Sequence, residues 1–66
     1  MKELNTKKVR RLMAAKGYNV RTLADAAGLS YPALNGWLTR GVKPRIDTLG
    51  KLARALEVDI FDIVAE

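Results

Sequence analysis

Three bases fall within six residues at Arg40, Lys43 and Arg45, in the segment TRGVKPR. They are the densest part of a wider asymmetry. Residues 1–54 hold all twelve Lys and Arg against three acids, Glu3, Asp25 and Asp47, whereas residues 55–66 hold Glu57, Asp59, Asp62 and Glu66 and no base. A basic body with an acidic end suits one surface to a polyanion and leaves another for something else. The competing explanation is a solubilising excess of charge. A membrane-surface role fits less well, because the bases are spread over several segments instead of lining one amphipathic helix.

Covalent and acid–base chemistry have little to work with. The chain has no Cys, hence no disulfide or thiolate, and no His, the commonest general base and metal ligand. No nucleophile–base arrangement or metal-ligand spacing is present, and Asp59 and Asp62, at i and i+3, more simply cap and solvate a helix. Sixty-six residues leave no bulk for a deep cleft, since a domain of about that size buries only about 60% of its unfolded surface. An enzyme is the least expected class, and no metal, cofactor or small-molecule ligand is expected. No apolar run approaches the ~20 residues of a membrane span, and charges interrupt every candidate leader region in MKELNTKKVRRL. A cytoplasmic setting is the default expectation.

The elements that position the bases read from apolar spacing. Val9, Leu12 and Met13 give an i, i+3, i+4 stripe, with Leu4 near the same side, and predict a first helix from Asn5 or Thr6 to Lys16. Lys16 suits its last turn and Gly17 its end. Asn19 caps a second helix with Leu23, Ala24 and Ala27 inward, and Gly28 ends it. Leu29 can plug the angle that follows. Ser30 caps a third helix with Leu34, Trp37 and Leu38 inward. Pro32 is then the second helical residue, whose N–H no intrahelical bond needs. Helix, Gly-containing turn, helix over residues 19–40 is the pattern of a helix-turn-helix, whose second helix can lie in the DNA major groove. Alone, the pattern is shared with many small helical bundles.

A loop over residues 39–45 follows, with Gly41 able to take positive φ and Pro44 discouraging helix before it. A fourth helix is predicted from Ile46 to Leu56, with Leu49, Leu52, Ala53 and Leu56 inward. Asp59 then caps a short fifth helix from Ile60 to about Ala65. Its Ile60, Phe61, Ile63 and Val64 exceed what one face needs, so part of it is either exposed or packed on the first and fourth helices.

Taken together, VRRLMAAKGY, LADAAGLS, LNGWLTRGVKP and DTLGKLARALEVDIFDIV resemble the phage lambda-type repressor and Cro family of DNA-binding domains. The resemblance covers about residues 5–65 and rests on the order and spacing of these pieces. It implies an all-α, five-helix, lambda-repressor-like domain with the helix-turn-helix at its second and third helices, one domain over residues 1–66. It implies a bacterial or phage transcriptional regulator on double-stranded DNA, dimeric at least when bound. By position, Tyr31, Pro32 and Gly36, with Ala33 and Asn35 beside them, would meet base edges. Asn19, Arg21, Arg40, Lys43 and Arg45 would meet phosphates, Arg45 nearest the minor groove.

The chain departs from the family pattern in three places. Pro and Gly stand where bidentate Gln, Arg, Ser or Asn are frequent, which shifts readout towards apolar contact and DNA shape. Val20 stands where a polar contact is frequent, with Arg21 as a substitute. Met13 and Leu38 stand where many relatives bury an Arg–Glu pair, an exchange that is often neutral or stabilising. Trp37 is expected beside them as the main core aromatic, so that Trp37→Ala would cost about 3–5 kcal/mol. Dimer contacts would come from the loop after the third helix or from Phe61, Ile63 and Val64. The alternative function is a protein-interaction module on the same fold, an antitoxin or accessory subunit with little DNA specificity. RNA binding is disfavoured, because Trp37 and Phe61 read as buried and leave few stacking platforms.

Overall fold

The structure, a computed structural model, describes residues 3–40 and 43–65. Gly41, expected with positive φ, lies outside the described residues. The chain runs β1 (Glu3–Leu4), α1 (Thr6–Lys16), α2 (Val20–Ala27), α3 (Tyr31–Arg40), α4 (Ile46–Leu56), a 3-10 turn (Ile60–Asp62) and β2 (Val64–Ala65). The two short strands pair antiparallel, Glu3 opposite Ala65 and Leu4 opposite Val64. The Asn5 N–H extends the ribbon by donating to the Ile63 carbonyl at 2.8 Å.

The helix ends form where capping chemistry allows. Asn5 accepts from the Lys8 N–H at the start of α1. Gly17 closes that helix at φ 75°, and the Tyr18 N–H reaches back to the Met13 carbonyl at 2.8 Å, satisfying carbonyls that would otherwise be orphaned. At α2 the cap is reciprocal: the Thr22 N–H donates to Asn19 Oδ1 at 2.8 Å and the Asn19 N–H to Thr22 Oγ1 at 2.9 Å. Gly28, at φ 71°, turns the chain, and Ser30 Oγ accepts from the Ala33 N–H at 3.3 Å. The end of α4 is different, because Glu57 itself takes the left-handed conformation at φ 59°, which costs a residue with a Cβ more than it costs glycine. Its carboxylate pairs with Lys16 at the end of α1, tying two helix C-termini together.

The core is apolar throughout. Val9, Leu23, Leu34, Leu52, Leu56 and Ile63 are fully buried, and no polar or charged side chain is buried among the described residues. Helix α2 packs on both α3 and α4. Met13 and Leu38 are both buried in this core.

Four of the predicted helices form; the fifth does not. Only Ile60–Asp62 is helical, as a single 3-10 turn capped by Asp59, and Val64–Ala65 is extended. Pairing with β1 satisfies the backbone there in place of helical bonds. The packing of this segment is corrected with it. Phe61 is 73% exposed and is not a core aromatic. Ile63 is fully buried inside its own chain, which removes it as a contact for a second subunit. Val64 is half-buried against the core. Trp37 is also half-buried at the edge of the core, so the fully buried residue that α3 supplies is Leu34. Among the described residues, no helix is long and apolar enough to cross a membrane.

Candidate nucleic-acid interface

The site is built on α2, the turn at Gly28–Ser30, and α3. Helix α3 is fixed from two sides. Leu34 and Leu38 sink into the core, and the Arg10 guanidinium of α1 donates to the Leu38 carbonyl at 3.3 Å, compensating part of the negative end of the α3 dipole. The remaining surface of α3 carries two rows at i, i+4 spacing. One row is Tyr31, Asn35 and Thr39; the other is Pro32, Gly36 and Arg40.

Tyr31 and Pro32 are exposed at the start of α3, Asn35 is half-buried beside them, and Ala33 is half-buried. Thr39 is exposed and donates its hydroxyl to the Asn35 carbonyl at 2.7 Å. Sequence reasoning passed over Thr39, although its i+8 spacing from Tyr31 marks it. Gly36 is buried. The groups nearest to where its Cβ would stand are all in the Arg40 guanidinium, Nη2 at 2.6 Å and Cζ and Nε at 3.5 Å. Arg40, expected to point to the phosphates from the edge of the loop, is therefore folded back along α3 and covers Gly36. A helical side chain leans towards the preceding turn, which directs Arg40 to that place.

At the other end, Arg21 Cζ lies 4.8 Å from the centre of the Tyr31 ring, within cation–π range. Asn19, Val20, Arg21 and Tyr31 line one shallow depression, so the cap of α2 and the start of α3 share a surface. Val20 is half-buried and packs on the core, in line with its lack of a polar group. On the far side, Lys43 and Arg45 are exposed, Pro44 between them is buried, and Asp47 Oδ1 lies 3.7 Å from Arg45 Nε. An ion pair this exposed is weak and yields readily to a phosphate. Among the described residues, no group of three His, Cys, Asp or Glu is placed to hold a metal ion.

A capped helix N-terminus, a glycine turn and a second helix with an exposed polar face, flanked by bases, is an arrangement for a nucleic-acid duplex. The Cro/C1-type helix-turn-helix DNA-binding domain matches residues 8–65. The chain belongs to that family. As a Cro/C1-type domain it is a DNA-binding transcription regulator with an α-helical helix-turn-helix fold. It is similar in structure to the restriction-modification controller protein C.AhdI from Aeromonas hydrophila, with a TM-score of 0.79, 28% identity and 86% of each chain covered. No curated protein matches the sequence.

Proposed function

We propose that the protein is a sequence-specific regulator on double-stranded DNA, of the Cro-like or repressor type found in phages and prophages, acting in the cytoplasm of a bacterial or phage-infected cell. Residues 1–66 act as one domain, with residues 19–40 as the helix-turn-helix unit, α3 in the major groove and no catalytic role. The observation that carries this reading is the polar Tyr31–Asn35–Thr39 row of α3, exposed at both ends, beside the capped start of α2. Tyr31, Pro32, Ala33 and Asn35 meet base edges there, Pro32 and Ala33 through thymine methyls. Asn19, Arg21, Lys43 and Arg45 meet phosphates on the two flanks, fixing register and supplying non-specific affinity.

On DNA the protein works as a homodimer, placing two α3 helices about one helical turn apart on a palindrome. Ile46, next to the basic loop, is 78% exposed, and Phe61, beyond the other end of α4, is 73% exposed; each, Phe61 together with half-buried Val64, is a candidate apolar contact for such a dimer. The same exposed groups give the protein-interaction module its support, with a heterologous partner in place of a second copy.

Selection of random duplexes by the purified protein at two salt concentrations tests both readings. An enriched palindrome is the expected result. Arg45→Ala should weaken all sequences alike and reduce the salt slope by about one, whereas Tyr31→Ala should change which sequences win. Absence of retention at either salt would move the assignment to the protein-interaction module.

A further inference from the structure

The recognition face poses a chemical problem. Pro32, Ala33 and Gly36 offer no hydrogen-bonding side chain, so a guanine facing the Pro32–Gly36 row would find no side-chain donor from those three positions. The packing of Arg40 answers this. Its guanidinium lies over Gly36, one turn back from its own Cα, with Nη2 only 2.6 Å from where a Cβ at position 36 would be. Any larger residue at 36 would displace it. Pro32, Gly36 and Arg40 form one i, i+4 row, so the small residue acts as a notch and the arginine fills it. The segment YPALNGWLTR contains no carboxylate, so α3 itself offers no ion pair to draw the guanidinium aside.

We propose that Arg40 is a base-reading residue, using the notch at Gly36 to bring its planar donor fork to the O6 and N7 acceptors of a guanine in the major groove. This assignment rests on the reading that α3 enters that groove, and it replaces a phosphate role for Arg40. Arginine to guanine O6 and N7 is the bidentate pairing that the groove geometry favours. The function of Gly36 is to be empty. A helix-interior glycine normally lowers stability relative to alanine, so a glycine at this place is explained by the side chain it admits.

The experiment compares wild type, Arg40→Ala, Arg40→Lys and Gly36→Ala in duplex selection, followed by titration of the selected duplex with each guanine replaced in turn by 7-deazaguanine, which lacks N7. Wild type should select a fixed guanine and lose on the order of ten-fold or more in affinity when that base lacks N7. Arg40→Ala should lose preference at that position alone, keep the remainder of the motif, and become indifferent to the N7 deletion, while Arg40→Lys, without the planar fork, should keep only part of the preference. Gly36→Ala should melt no lower than wild type yet lose the same guanine preference, an effect that a purely structural role for Gly36 would not produce. If Arg40→Ala instead weakens every sequence equally, lowers the salt slope by about one and leaves the motif intact, Arg40 is a phosphate anchor and the proposal fails while groove reading by α3 stands. If wild type selects no motif, both fail together.

Discussion

Trp37 and Leu34 stand one turn apart on α3, and truncating each to alanine separates size from burial. From sequence, the indole is the heavier loss. In the structure Leu34 is fully buried and Trp37 half-buried. A fully buried Leu→Ala change costs about 3–5 kcal/mol, transfer plus cavity. An indole buries at most about 150–250 Å². Trp37 keeps at least about two thirds of that area from water, which at about 25 cal/mol per Å² gives about 3–5 kcal/mol for Trp37→Ala. A chain of this length has a total stability of roughly 3–10 kcal/mol. Leu34→Ala should therefore cost about as much as Trp37→Ala, although it deletes a far smaller side chain, and each truncation removes a large share of the total stability. With a urea slope near the small-protein limit of about 1 kcal/mol/M, both midpoints fall by about 3 M or more. Trp37 is the sole tryptophan, so the transitions must be followed by far-UV circular dichroism. A Trp37→Ala protein markedly less stable than Leu34→Ala would refute the reasoning, because side-chain size would then outweigh burial.

The remaining predictions concern helix ends. Hydrogen bonding from Lys16, with its charge, lowers the pKa of Glu57 from its ordinary value. A carboxylate with a depressed folded pKa stabilises above its unfolded pKa and loses that contribution as pH falls through the folded value. Lys16→Met should thus lower the melting temperature at pH 7 and leave it little changed at pH 2; an equal drop at both would exclude the pair as the cause. Glu57→Gly relieves the positive φ but deletes the pair, so its gain in melting temperature should be larger in acid than at neutrality. Asn19→Ala removes one half of the reciprocal cap and should cost about 1 kcal/mol in denaturant titration; no loss would mean that the Thr22 hydroxyl caps alone. Gly28→Ala meets open space yet should still cost about 1–2 kcal/mol, the backbone penalty of a left-handed residue.

The first three helices were legible because each has an apolar stripe at helical spacing and an Asn, Ser or Gly at an end; α4, flanked by Arg45 and Glu57, was legible from its stripe. The end of the chain was not. Two-residue strands have no periodicity to read, and IFDIV looks like one helical turn until the tighter 3-10 geometry, at three residues per turn, turns Phe61 out while Ile63 goes in. At the interface, reading α3 one residue at a time made Gly36 a contact and Arg40 a loop charge. The relation between them lies in their spacing of four, which a residue-by-residue reading discards. Thr39 was missed for the same reason. That Arg21 meets Tyr31 depends on the angle between α2 and α3, which no local pattern encodes.

The β1–β2 ribbon has a kinetic consequence. Joining Leu4 to Val64 closes a loop of nearly the whole chain, and the entropy of closure grows with the length enclosed. The α2–α3 contacts span far fewer residues and can form first. The ribbon should therefore assemble after the rate-limiting barrier and come apart before it in unfolding, so that a change at Val64 speeds unfolding and leaves the refolding rate almost untouched. Its role is that of a latch, closing over a helix-turn-helix that is already in place.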